Sequence, residues 1–382
     1  MKTGAPRKIF ALAAVAAICL TFLLRAASCS GGGMDAVTHN VPPSSAGSTP
    51  DTAAILPTGG EAEQTLGSNA SVSGAGHFFR QQSTWYEPIP ADARVAANSV
   101  LYVDRVRRNS TLLSAAYKDW TVPVFYAQED TTPVPVPVKK TTLTEWNTVP
   151  IPPEALPDMN TERCAGRYSD GHMVVVSADR HWAWDFYQAS RCNGIWKAAW
   201  IRRWDLTTDG VNQPYDGQGS CRVAKVPLLQ GLITYNEVVN EGAINHAIAF
   251  ATWSNAASTG WYPTHISTVE SADDKDPWAN ILGMRYQLDP GFNCEVTGWN
   301  NFNKIVCRAL QKYGMIYVEN AGRWNNAIYA ENLVNKPVSW DGIITSAIPV
   351  PWDRMRIVEP VLPKAGPGAV QGTSAPVTGM RR

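Results

Sequence analysis

A histidine, an aspartate and a tyrosine fall on one side of a short alternating stretch, residues 172–188. Residues 172–177 and 181–188 read as two strands around the turn Ala178-Asp179-Arg180. Pairing Ser177 with Trp182 sets His172 opposite Tyr187, and Asp185 becomes a diagonal neighbour of His172 within side-chain reach. Met173, Val175, Trp182, Trp184 and Phe186 then share the other face, which is apolar and expected to be core. His172, Val174, Asp185 and Tyr187 are left on a face expected to be wet. An imidazole, a carboxylate and a phenol together can move protons at a sugar carbon or a glycosidic oxygen. The same three groups also suit a hydrogen-bonded cluster on a solvated sheet.

Other residues can join such a site. Asp170 precedes His172, but two ligands do not make a metal site, and neither a metal nor a cofactor is expected. His246 alternates with Ile244, Ile248 and Phe250, which fits a satisfied core histidine as well as a site residue. Asn245 points the other way, beside small residues that could floor a cleft. Arg285 and Gln287 form the polar side of an apolar strand, where a guanidinium pairs with a uronate carboxylate or with a surface acid. Glu319 ends a strand, either as a site carboxylate or as half of a turn with Asn320. Trp261, with Trp253, Trp278, Tyr262 and His265 in loop-like segments, could stack on sugar rings or pack in the core.

The elements that would position these groups are mostly strands. Apolar-polar alternation predicts strands at 99–106, 120–127, 244–253, 283–289 and 315–319. Alternating Val and Pro at 134–138 is extended, and its prolines confine it to an edge or a linker. Thr234-x-x-Glu237 is a capping box for a short helix closed by Gly242. Asn301 caps a second helix over 302–313, with Ile305, Val306, Ala309, Leu310 and Tyr313 as its buried stripe and Gly314 as its stop. Many strands and two short helices fit an all-β, jelly-roll or concanavalin-like β-sandwich.

Composition narrows the function classes. Of 382 residues, 33 are Lys or Arg and 33 are Asp or Glu, so no basic excess exists to drive counterion release from nucleic acid. The hydrophobic share of 45% rules out wholesale disorder, and 15 Trp supply large amphipathic plates for a core or a flat ligand. No GxSxG, Walker, GxGxxG or HExxH motif occurs.

Residues 1–29 read as a leader, with Lys2, Arg7 and Lys8 ahead of an apolar run. That run of about 16 residues is shorter than the ~20 that span a bilayer. Small residues before Cys29 resemble a lipobox, so export ends either in plain secretion or in a lipid anchor at Cys29, the one membrane contact expected. Residues 30–76 and 363–382, rich in Gly, Ser, Thr, Ala and Pro, read as a flexible linker and tail around a folded segment, 77–362. In an oxidising compartment disulfides are expected, with Cys164–Cys192 at the open end of the hairpin, Cys294–Cys307 closing a short loop, and Cys221 free.

From Ser169 to Asn326, under half of the chain, the sequence resembles a family of exported bacterial β-sandwich proteins. The marks are Ser169-Asp-Gly-His172 with Trp184-Asp185-Phe186, Pro227-Leu-Leu-Gln-Gly-Leu-Ile233, Tyr235-Asn-Glu237, and Gly242-Ala-Ile-Asn-His-Ala247. Tyr262-Pro-Thr-His265, Gly283-Met-Arg-Tyr-Gln-Leu288 and Ala309-Leu-Gln-Lys-Tyr-Gly-Met315 with Glu319-Asn320 follow in order. The resemblance implies export and an all-β fold rather than a reaction. The chain is more loosely similar to jelly-roll polysaccharide lyases of the alginate-lyase type, in which Asn245-His246, Arg285 and Tyr187 would play the corresponding parts. The lyases' Arg-x-Glu-Leu and Tyr-Phe-Lys-x-Gly-x-Tyr motifs are absent, and Ile244-Asn-His246 stands in place of Gln-x-His.

These readings converge on an exported protein acting on a polysaccharide. In a lyase, Arg285 and Asn245 would hold a uronate, with Gln287 beside them. His172 or His246 would take the C5 proton, and Tyr187 would protonate the leaving oxygen. In a hydrolase, Asp185 would work with Asp170 or Glu319. The competing expectation is a non-catalytic glycan-binding or cell-envelope structural lipoprotein.

Overall fold

The computed structural model describes residues 77–79, 83–139, 146–159, 170–211, 220–254, 275–322, 325–345 and 347–360. All of these belong to the second of two compact units, Met1–Gln64 and Thr65–Arg382. The expected leader 1–29, nearly all of the linker and the tail 363–382 lie outside the described residues.

In chain order the described strands are β1 (Ser114–Ala116), β2 (Val124–Tyr126), β3 (Val134–Pro135), β4 (Thr148–Val149), β5 (Met173–Val176), β6 (Trp182–Tyr187), β7 (Ser190–Cys192), β8 (Ile195–Lys197), β9 (Trp200–Asp205), β10 (Ile248–Thr252), β11 (Arg285–Leu288), β12 (Met315–Asn320), β13 (Asn326–Tyr329) and β14 (Met355–Val358). Six form one sheet in the order β1-β13-β10-β12-β11-β14, and four form another in the order β2-β5-β6-β9. Two short pairs, β3-β4 and β7-β8, complete a β-rich architecture. Neighbours β1/β13, β10/β12 and β2/β5 run parallel and the other pairs antiparallel.

The hairpin forms in the expected register, with Met173 opposite Phe186 and Val174 opposite Asp185. Its turn is closed by Ser177, whose backbone N–H donates to Trp182 O at 2.8 Å. The expectation of one wet face is corrected. The main core holds Val174, Val176, Ala183 and Trp204 of the four-stranded sheet together with Phe250, Ile316 and Ile328 of the six-stranded sheet. Met173, Val175, Trp184, Phe186 and Ile201 form a second core with Val136, Trp146, Val149 and Trp196. Both faces of the hairpin are therefore covered. The unbroken apolar run 173–176 is how a strand buried on both sides reads, and alternation alone does not reveal it.

Residues 99–106, expected as a strand, begin the helix α1 (Ser99–Asn109) instead. Its buried positions are Ser99, Tyr102, Val103, Arg105, Val106 and Asn109, and all but Arg105 follow a spacing of three and four that a strand cannot place on one side. The second helix, α2 (Asn301–Lys312), is capped one residue earlier than expected. The Asn300 side chain accepts from Asn303 N at 2.8 Å. Its stripe of Ile305, Val306, Ala309, Leu310 and Tyr313 is buried as read. Gly314 ends it at φ +72°, where a Cβ would stand 2.4 Å from Tyr286 O.

Thr234 and Glu237 cap each other as expected. Glu237 N donates to Thr234 Oγ1 at 3.3 Å and Thr234 N to Glu237 Oε2 at 3.0 Å. They open a single π-helical turn, Glu237–Glu241, closed by Gly242. Cys294 and Cys307 are joined and Cys221 is a buried free thiol, both as expected. Cys192 is disulfide-bonded, while Cys164 lies outside the described residues. No described helix is long and apolar enough to cross a membrane.

Candidate functional site

The hairpin's candidate groups sit between the two sheets. His172, just before β5, is 3% exposed, and its Nε2 lies 2.9 Å from Cys221 O. A ring nitrogen facing a carbonyl must carry the proton. Burial lowers the imidazole's affinity for a second proton. The nearby Arg222 adds to this, against the pull of Glu319 and Asp170. The Tyr187 ring centre is 5.8 Å from that of His172, and Tyr187 is half-buried.

Glu319, near the end of β12, faces the same region. Arg222 Nε donates to its Oε1 at 3.1 Å, while Arg222 Nη1 reaches Pro227 O at 3.4 Å and Gln230 O at 3.3 Å. The guanidinium carbon stands 5.0 Å from the Tyr329 ring centre. Burial raises the Tyr329 phenol well above its ordinary value, and the Glu319 charge adds to it. Asp170, half-buried, contributes to the field at His172 and Tyr329. His172, Tyr187, Glu319 and Asp170 are thus brought together as the sequence suggests, around a cation that it did not single out. Arg222 sits in the mainly apolar stretch 221–233, and a charge in such a run is the signal that could have found it.

Asp185 lies on β6, between β5 and β9, and is 1% exposed. Its Oδ2 accepts from Trp204 Nε1 and from Leu228 N, both at 2.7 Å. Burial pushes this carboxyl up to about 7, against those bonds and the charges of Arg222 and Arg202. Its Oδ1 and Arg222 Nη2 have no hydrogen-bond partner among the described residues. A carboxyl tuned near neutrality has the right acidity for proton transfer, but this one is enclosed by the core.

The remaining candidates go elsewhere. His246 precedes β10, is 1% exposed, and places Nε2 3.1 Å from Glu237 Oε1 and Nδ1 2.9 Å from Ala247 O. Both nitrogens meet only acceptors, so the ring is an imidazolium. Burial opposes both charges, yet the pair prevails. Glu237 is held below its ordinary value and His246 above its own. Asn245 is half-buried, and its carbonyl lies 2.9 Å from His77 Nε2.

Arg285 is buried and binds no carboxylate among the described residues. Its Nε donates to Tyr313 O at 2.7 Å and its Nη2 to Glu87 O at 2.9 Å, and burial lowers it to about 10. Gln287 donates to Gln311 O at 2.8 Å and accepts from Arg356. These two fasten β11 to the end of α2 and to β14, which corrects the expectation of a polar, accessible strand face. Trp261, Tyr262 and His265 lie outside the described residues. Trp278 packs edge-on against Tyr102, ring centres 5.6 Å apart, and Trp253 carries Arg105 over its ring.

An open concavity lies at the edge of the four-stranded sheet. A pocket of about 890 Å³ runs along β2 and β3, with a floor of Phe125, Ile151 and Trp196 and walls that include Tyr126, Tyr235, Pro153 and Pro337. Asp130, Glu154, Glu331, Arg191 and Lys336 supply its charges. None of the described candidate residues lines it. Aromatic walls with a few polar groups in a cavity of this size are what small-ligand sites share. Compared with family models, curated proteins and solved structures, the chain matches none.

Proposed function

We propose that this is an exported, non-catalytic glycan-binding protein whose ligand occupies the pocket beside β2 and β3. One observation carries the reading: the concavity with aromatic walls is separate from His172, Asp185, Tyr187 and Arg285, the groups through which cleavage is expected. A sugar ring presents C–H faces to Tyr126 and Tyr235 and hydroxyls to the polar groups at the rim. The sealing of His172 and Asp185, and the use of Arg285 on backbone carbonyls, support binding over cleavage.

The leader-like residues 1–29 and the Cys294–Cys307 bond support export, since such bonds persist in oxidising compartments. The scaffold we propose is a β-sandwich of jelly-roll or concanavalin-like kind. The core shared by the two sheets supports it, and the parallel pairs are its departure from an all-antiparallel roll.

The test is a glycan array followed by product analysis on every hit. The expected result is retention without new reducing ends or unsaturated products, weakened by Ile195→Lys. Ile195 lines the pocket and is 57% exposed, so the change leaves the fold intact. Cleavage products, or retention that pocket changes do not affect, would overturn the proposal.

A further inference from the structure

The charges around the pocket are unequal. Asp130, Glu154 and Glu331 face Arg191 and Lys336. Both cations are engaged: Lys336 Nζ contacts Glu331 Oε1, and Arg191 Nη1 donates to Pro153 O at 3.3 Å with its guanidinium over Trp196. Neither Asp130 nor Glu154 has an ion-pair partner among the described residues, and both are exposed.

Glu331 differs from these two. Its side chain is only 7% exposed, yet it lines the cavity. One oxygen takes Lys336, and the other takes no hydrogen bond from any described residue. With Lys336 on one oxygen, the other remains available as an acceptor for a charged N–H donor, and such a bond is stronger away from bulk water. The Tyr235 ring adds to this, since aromatic rings attract cations; one face of Tyr126 is already taken by the Arg180 guanidinium, 3.8 Å from its ring centre.

We infer that the ligand carries an amine, an amino-sugar glycan whose ammonium group docks at Glu331 and is drawn in by Asp130 and Glu154. This rests on the pocket being the glycan site and specifies its ligand. A uronate is the opposite of what these charges select, since it would meet three carboxylates and two occupied cations.

The experiment is calorimetric titration of the full chain with a glucosamine oligomer, its N-acetylated counterpart and a uronate oligomer. Acetylation removes the charge and keeps the sugar. The free-amine oligomer is expected to bind roughly tenfold more tightly than the acetylated one, and to lose that advantage as salt rises. The double change Asp130→Asn with Glu154→Gln, at exposed positions that leave the fold intact, should weaken it about three- to tenfold. Glu331→Gln should weaken the free-amine oligomer further and shrink its advantage over the acetylated one. Equal affinity for the amine and acetyl forms, or tighter uronate binding, overturns the amine assignment and leaves the glycan reading standing. If no oligomer and no array glycan binds, both fail together.

Discussion

Replacing Asp185 with asparagine separates a sealed carboxyl from a working one. Burial holds this carboxyl at about 7 against an ordinary 3.8. At ~1.4 kcal/mol per pH unit, that difference corresponds to ~4 kcal/mol. The folded state binds the proton more tightly than the unfolded chain does. The stability tied to that proton is therefore fully present below the unfolded value and is lost as pH rises through about 7.

Asparagine cannot ionise, so Asp185→Asn lacks this loss. Its carbonyl keeps the bonds from Trp204 and Leu228, both at 2.7 Å. Its amide takes the place of the unpartnered Oδ1, at a constant cost of ~1–3 kcal/mol. Between pH ~5 and ~8 the difference in unfolding free energy should move by ~3 kcal/mol in favour of the variant. At the upper pH the variant should be the more stable protein by ~1–3 kcal/mol. Urea unfolding followed by tryptophan fluorescence at both pH values measures this. Parallel profiles for the two proteins would refute the desolvation argument. Glycan binding should be unchanged in the variant, and a wild type that cleaves a glycan the variant cannot would refute the sealed reading of Asp185.

Glu237→Gln breaks a buried ion pair and leaves His246 and Thr234 with a weaker acceptor. A loss of ~3–5 kcal/mol is expected in thermal or urea unfolding. A loss under ~1 kcal/mol would show that the pair is not formed. Reduction of Cys294–Cys307, separated by 13 residues, should cost ~3 kcal/mol by freeing the loop in the unfolded chain. Buried Cys221 should react with a thiol reagent only on unfolding, and rapid labelling of the native protein would contradict its placement. Gly231→Ala puts a Cβ 2.4 Å from Ala249 N at φ +75°, so soluble yield and melting temperature should fall sharply. An unaffected melting temperature would show that the close approach of that loop to β10 is wrong.

Much of the local structure was legible. The hairpin register follows from the turn chemistry at residues 177–180, and the buried stripe of α2 from apolar spacing. The Thr234–Glu237 box and the Cys294–Cys307 pair are short-range features, so nearby residues are enough to specify them. The sequence of α1 reads as a strand because Val100, Tyr102, Val106 and their neighbours satisfy an approximate two-residue alternation as well as the helical period. Burial at Ser99, Tyr102, Val103 and Val106 decides for the helix.

The candidate site was half legible. Side-chain period dictates that His172, Asp185 and Tyr187 share a face, and the structure keeps them on it. Whether water or a second sheet covers that face depends on β10, β12 and β13, which are far away in the sequence. Arg222 could not be placed opposite Glu319 without knowing how residues 220–233 cross between the layers. The pocket is assembled from β2, the prolines after Ile151, the β7–β8 tip and residues 331–338, so no single stretch announces it. By itself the sequence determined which residues pair and which face they share; only the tertiary packing decided which faces meet solvent, because exclusion of water is a property of layers and not of strands.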